Sequence, residues 1–247
     1  MNKKIIRPMI LTAIILVIWQ IAVQVTKVPN YIMPSPVELV QYMGNQFATG
    51  SITKHILTTL HEVIVGTFYG ILVGIALGYA IAKSKLVDRL VTPIILILQI
   101  APKISLAPLF LLWFGLGATS KIALVILVVS FPVMIAQSTV IKNIDKNYID
   151  YMTVLNGNAL QRFIHVELPY SLTAVLSGIK VSVTQGMTGA VIGEMMGAQA
   201  GLGYLLVYGS EMYDIKIILS SVVILSVLGL ILYYLAEYAE KKIIYWN

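Results

Sequence analysis

The 247-residue chain is 58% hydrophobic and only 11% charged, with a mean hydropathy of +0.88, against roughly one-quarter charged residues in soluble domains. That composition excludes a soluble globular fold and marks an integral membrane protein. The absence of cysteine removes disulfide frameworks and thiol nucleophiles, and the formal net charge of +6 is scattered instead of forming the basic, aromatic-interleaved patch that nucleic acid requires.

In chain order, Lys3, Lys4 and Arg7 precede a first apolar span at 9–25. No small-residue cleavage site follows Val25, so the span reads as a retained helix and not a signal peptide. Pro29, Pro34 and Pro36 then open an amphipathic stretch at 37–47, read as a helix lying on the membrane surface, with a binding element as the alternative. Five further apolar spans follow at 60–82, 90–114, 122–141, 171–195 and 217–236, each near the ~20 residues that cross ~30 Å of hydrocarbon. The expected fold is all-α, a polytopic membrane protein with six transmembrane helices. Gly66, Gly70, Gly74 and Gly78 recur every fourth residue on the second span, a spacing that permits close helix approach either within the chain or against a second copy.

Cations set the orientation. Lys3, Lys4, Arg7, Lys83, Lys85, Arg89, Lys142, Lys146, Arg162, Lys241 and Lys242 collect on one side, and only Lys27, Lys54, Lys121 and Lys216 on the other. Positive residues accumulate in the cytoplasm, so both termini and the 142–169 loop are expected there. The organisation reads as an N-terminal tail, first helix and extracytoplasmic segment (1–57), a transmembrane core (58–240) and a cytoplasmic tail (241–247).

Lys103 and Lys180 fall inside spans, ~13 residues beyond the start of the third span and ~11 beyond Pro169, which at ~1.5 Å per residue puts both near mid-membrane. Glu62 and Glu194 sit nearer the outer ends, so the lysines are expected without acidic partners. With Gln99 and Gln185 a turn or so away, they suit a path for an anion such as a sulfonate, which accepts from ammonium and amide donors. The alternatives are snorkelling, capping of carbonyls freed by Pro102 or Pro108, or pairing between helices. Glu194 reads either as a gate or binding-protein contact, or as a carboxylate bonded to nearby backbone. The Gly-rich run 197–204 lacks a following Gly-Lys-Ser/Thr, so it reads as a turn or gate and not a phosphate cradle. His55, His61 and His165 lack metal-ligand spacing, and neither metal nor cofactor is expected.

The polar segment 150–169, DYMTVLNGNALQRFIHVELP, stands between two apolar blocks. Asn156-Gly157 is a turn dipeptide, Pro169 biases Leu168 away from helix, and about two helical turns fit at 159–167. Tyr148, Tyr151, Met152, Leu155, Leu160 and Phe163 form an apolar face that either anchors in a groove of another protein or packs under the bundle. This spacing resembles the EAA loop of type I ABC importer permeases. Asp150-Tyr151-Met152 take the Glu-Ala-Ala positions, Asn156 the Gly position, Val166 the hydrophobic position, and Leu168-Pro169 the closing Leu-Pro. Three departures are Asp for Glu, bulky residues for both alanines, and Gly157 one place late.

Three further segments resemble the nitrate/sulfonate/taurine subfamily of these permeases: Met33-Pro34-Ser35-Pro36, the run 101–109 with Trp113-Phe114-Gly115, and Gly193-Glu194 leading to Gly201-Leu202-Gly203-Tyr204. The resemblance implies a MetI-like permease fold in the cell membrane. It also implies import of a small anionic solute, or, within the same class, of a thiamine-pyrimidine precursor or riboflavin. The implied partners are two ABC ATPase subunits engaged through the EAA loop, an extracytoplasmic substrate-binding protein and a second copy of the chain. The sequence has no Walker loop and no nucleophile–base pair, so ATP hydrolysis is assigned to the partner. A stand-alone carrier or channel is the alternative from another class, though a carrier is expected to carry repeat symmetry and a midplane carboxylate.

Overall fold

The computed structural model describes residues 3–29 and 31–244. The side chains of Lys3, Lys4 and Met9, and the tail positions 1–2 and 245–247, on which part of the orientation and span reading falls, lie outside the described residues. All regular structure among the described residues is helical. The six predicted spans correspond to α1 (Lys3–Thr26), α3 (Thr53–Lys83), the pair α4 (Lys85–Ile100) and α5 (Lys103–Phe114), α6 (Ala118–Lys142), α9 (Leu168–Gly197) and α11 (Ile215–Ile243). Four are long and apolar enough to cross a membrane unaided: α3, α6, the continuous stretch Ala159–Gly197 and α11. Within α1, Ile10–Thr26 is a shorter apolar helix.

Between α1 and α3, α2 (Pro36–Ala48) begins at a capping box. The Ser35 hydroxyl accepts from the Glu38 amide at 3.3 Å, and the Glu38 carboxylate accepts from the Ser35 amide at 3.0 Å, while Pro36 fills a first-turn position whose N–H has no intrahelical acceptor. The boundary expected at 57/58 falls inside α3.

The third span is not one rod. Hydropathy runs unbroken through it, yet α4 and α5 meet at a bend of 107°. Ala101 (ψ 134) and Pro102 (ψ 114) are both extended, because a residue before proline is disfavoured in the helical region, and two extended residues re-aim the chain. Pro93 and Pro108, inside α4 and α5, leave their helices unbroken.

The core is the trio α3, α6 and α9. A Cβ built on Gly66, Gly70, Gly74 or Gly78 would lie 2.5–2.8 Å from atoms of α6, among them Val125, Val129, Val133, Gln137 and the carbonyls of Ser130 and Met134. The glycine stripe is therefore a contact within the chain, and α3 and α6 run side by side in the same direction. Antiparallel to them, α9 presents Gly178, Gly186, Gly189 and Gly193 to α6, and the Ser182 hydroxyl donates to the Val129 carbonyl at 3.0 Å. Val63, Val125, Val129, Met187 and Ala190 form the central apolar cluster, with Leu225, Leu228 and Leu232 of α11 packed on it.

Candidate functional site

At the end of the bundle where α3 and α6 finish and α9 begins, the polar segment folds into a helical elbow. The Asp145 side chain accepts from the Asn147 amide at 2.9 Å and starts α7 (Lys146–Val154). That helix ends in two reverse bonds, from the Asn156 amide to the Thr153 carbonyl (3.0 Å) and from the Gly157 amide to the Met152 carbonyl (2.8 Å). This is the Schellman pattern, which requires a left-handed residue at its first non-helical position. Asn156 supplies it, with φ +53°, the conformation the turn dipeptide predicts. Gly157 has its own reason: a Cβ there would lie 2.6 Å from Met152 Cε. A second capping box, Asn158 with Gln161 (2.8 Å each way), opens the short α8 (Ala159–Arg162).

Beyond α8 the chain does not break at Leu168 as expected. A π-helical turn, Phe163–Glu167, carries it into α9, with the Leu168 amide bonded to the Phe163 carbonyl and Leu168 helical at φ −64°, ψ −53°. The wide turn lets Pro169 sit in the first turn of α9, where its missing N–H costs little.

Asp150 and Tyr151 are exposed, and Met152 and Val166 are half-buried. The last three residues line a groove of about 460 Å³ with Tyr148, Leu155, Gly157, Gln161 and His165. Tyr148, Tyr151, Leu155 and Leu160 are 53–65% exposed, so most of the elbow's apolar face is uncovered. Phe163 turns inward, its ring edge-on to Tyr79 at 5.3 Å. Leu168 and Pro169 are exposed at the start of α9.

Glu167 escapes sequence reasoning, because in a polar run it looks like a solvated charge. Its side chain is 1% exposed. The Tyr79 hydroxyl donates to it at 2.9 Å, the Lys83 ammonium donates to its other oxygen, and Arg162 Nε lies 2.9 Å away as an ion pair.

One of the two intramembrane lysines has an acidic partner, against expectation, and the other does not. Lys180 pairs with Glu240 of α11 at 2.5 Å, and the Ser177 hydroxyl donates to the same carboxylate at 2.9 Å. The last span was expected to stop at residue 236, which left Glu240 out of reach. Lys103 donates to the Gln185 side-chain oxygen at 2.7 Å, and among the described residues no carboxylate lies within ion-pair distance of it. Gln185 stands five residues past Lys180, about 7.5 Å along a helix, so the Lys103 ammonium is bonded to α9 beyond the turn that carries Lys180. Gln99 is exposed near the end of α4. On α9, Ser177, Thr184 and Thr188 share an exposed face.

At the opposite end, both oxygens of Glu194 are engaged. One accepts from the Thr59 hydroxyl at 2.6 Å and the other from the Gly203 amide at 2.6 Å, in the first turn of α10 (Leu202–Glu211). Gly201 is at φ +121°, and a Cβ there would lie 2.3 Å from the Glu194 carboxyl carbon. The Gly-rich run thus wraps a buried carboxylate against a helix N-terminus, where the backbone dipoles favour it. Lys121 is 2% exposed and donates to the carbonyls of Leu116, Gly117 and Gly197.

A bundle of membrane-crossing helices bearing an exposed helical elbow at one end is the architecture of a transport permease subunit. The chain belongs to the family described as binding-protein-dependent transport system inner membrane component, which matches residues 70–245. It is 30% identical over 247 residues to a "Probable ABC transporter permease protein" of Haemophilus influenzae, covering 99% of each chain. It is 29% identical to the riboflavin transport system permease protein RibX of Chloroflexus aurantiacus, over 95% of this chain and 87% of that one. Against the taurine transport system permease protein TauC of Escherichia coli the identity is 24%, over 95% and 87%. Among solved structures, the MetNI methionine ABC transporter in an inward-facing conformation superposes with a TM-score of 0.62 at 20% identity, over 78% of this chain and 94% of that one. This likeness places the fold with the MetI-like permeases, and the chain is a type I ABC importer permease with taurine-type relatives.

Proposed function

We propose that this permease carries a small anionic solute, of the sulfonate, taurine or nitrate kind, into the cell. Two ABC ATPase subunits drive it by gripping the elbows of two copies of the chain. The elbow end is cytoplasmic, as are both termini, and the opposite end receives cargo from an extracytoplasmic binding protein. This chain is non-catalytic and ATP hydrolysis belongs to the partner. Closure of the ATPases moves the elbows, and the helices joined to them tilt to alternate access.

The observation that carries the coupling reading is the uncovered apolar groove of α7, with Tyr151, Met152 and Val166 at its lip, continuous through the π-helical turn with α9. A groove-bearing helix pair suits insertion into a partner. Gly157 also lines it, and Asp150, Asn156, Leu168 and Pro169 stand exposed on the same segment. For the path, the exposed hydroxyl face of α9 with Lys103, Gln185 and Gln99 supports a polar lining. Lys180 is neutralised by Glu240, so Lys103 is the residual positive charge, and Glu194 shapes the far mouth. An uncharged flavin or pyrimidine, the second reading, gives Lys103 no counter-charge.

The test is co-purification and uptake. Tyr151→Asp should lose the ATPase from detergent-solubilised membranes. Lys103→Met should retain it while lowering uptake of radiolabelled taurine relative to riboflavin. An ATPase that never co-purifies refutes the coupling reading; riboflavin uptake with no taurine uptake refutes the anionic one.

A further inference from the structure

Glu167 lies between the exposed elbow and the helices, dry and surrounded by donors from α3. Two of its partners, Tyr79 and Lys83, occupy the final turns of α3, and the third, Arg162, belongs to the elbow itself. Lys83 and Arg162 are 30% and 37% exposed while the carboxylate is 1% exposed, so this is an ion cluster whose centre is desolvated. Breaking such a cluster leaves a buried charge without compensation. A second layer reinforces it: Phe163 packs edge-on against Tyr79, and the Lys83 ammonium lies 5.6 Å from the centroid of the same ring.

The π-helical turn is what aims the carboxylate. A π turn holds one residue more than an α turn, and removing that residue would turn α8, with Arg162, by about 100° about the helix axis relative to Glu167 and α9. Past Tyr79, α3 is interlocked with α6 through the glycine contacts, whose near neighbours include the carbonyls of Ser130 and Met134. A backbone atom cannot turn aside as a side-chain rotamer can, so the two helices form one stiff body.

We infer that Glu167 is a positioning residue for coupling: it fastens the elbow to α3, and through α3 to α6, so that elbow displacement moves this pair as well as α9. The inference rests on the elbow meeting an ATPase as proposed above. Without the fastening, the elbow drives α9 alone.

The test uses the whole transporter in lipid nanodiscs. The chain has no cysteine, so single cysteines at Thr153 on α7 and Ile64 on α3, both exposed, can carry spin labels. Their separation within one chain is measured before and after trapping with ATP and vanadate. The expected result is a distance that stays fixed in the otherwise unaltered protein, because elbow and α3 move as one. In Tyr79→Phe/Lys83→Met, which leaves Glu167 its Arg162 partner, the same separation shifts or broadens by about 2 Å or more on trapping, the scale of packed-helix shifts. In that variant basal ATP hydrolysis stays within twofold.

An unchanged separation in the double variant overturns the inference, as does a separation that already changes on trapping in the unaltered protein. Loss of ATPase assembly in the double variant also overturns it, since the cluster would then be only structural. Glu167→Gln, which keeps the Tyr79 bond and removes the ionic one, must reproduce the shift. Failure of the unaltered chain to hold an ATPase strikes the coupling reading itself and is read from co-purification before any distance is measured.

Discussion

The α3–α6 contact makes a prediction whose sign depends on position. Gly74 and Gly229 are both interior helical glycines, and Gly→Ala in a helix interior ordinarily stabilises by about 0.5–1 kcal/mol. At Gly229 of α11 a Cβ meets nothing within 4 Å, so Gly229→Ala should show that gain. At Gly74 the new Cβ would lie 2.8 Å from the Ser130 carbonyl oxygen and 2.8 Å from Val133 Cβ, against an optimal separation of about 3.5–4.0 Å between carbons. Neither neighbour can rotate away, because one is backbone and the other is fixed to it, so the helices must part by the better part of an ångström. Overpacking of this kind costs about 1–3 kcal/mol. Subtracting the propensity gain leaves Gly74→Ala destabilised by about 0.5–2 kcal/mol. Thermal unfolding of both variants of the purified protein in one detergent separates the cases, with Tm lower for Gly74→Ala and equal or higher for Gly229→Ala. A Gly74→Ala protein as stable as Gly229→Ala would mean that the two backbones do not approach this closely.

Gly201→Ala should destabilise by about 1–3 kcal/mol from its left-handed backbone alone, and displacement of the Glu194 carboxylate should expose the Leu202 and Gly203 amides to faster hydrogen exchange. Asn156→Gly should leave stability within about 0.5 kcal/mol, whereas Asn156→Val should cost about 1–2 kcal/mol for a β-branched residue held at positive φ, read from urea-induced loss of helical circular dichroism. In uptake assays with taurine, Lys103→Met should lower transport at least tenfold while the paired replacement Lys180→Met/Glu240→Leu stays within about threefold, since it removes a neutral pair; equal losses would put Lys180 on the path as a charge.

What the sequence disclosed follows from how local each signal is. The glycine stripe was readable because its four-residue period names a helix face, though not the partner helix. Asn156-Gly157 announced its turn because the left-handed residue and the steric demand of the turn are local. The bend at Ala101-Pro102 was not readable: hydropathy averages across two extended residues, and Pro93 and Pro108, equally suspect by type, leave their helices intact. Lys180 looked unpaired because its partner lies 63 residues from Ser177, which shares that partner, in a turn of α11 beyond the expected end of the last span. Glu167 was invisible for a related reason, since exposure, not residue type, separates a solvated glutamate from a buried fastening.

One lysine at the far end carries a consequence for how this chain can vary. Lys121 gathers carbonyls from the α5–α6 turn and from the end of α9, using all three of its ammonium hydrogens. The lengths of both turns are therefore bound to a single point, and an insertion in either would pull an oxygen off a buried ammonium. Epitope tags, fusion partners and natural length variation belong instead at the α2–α3 turn, where Gly50 has open space around it.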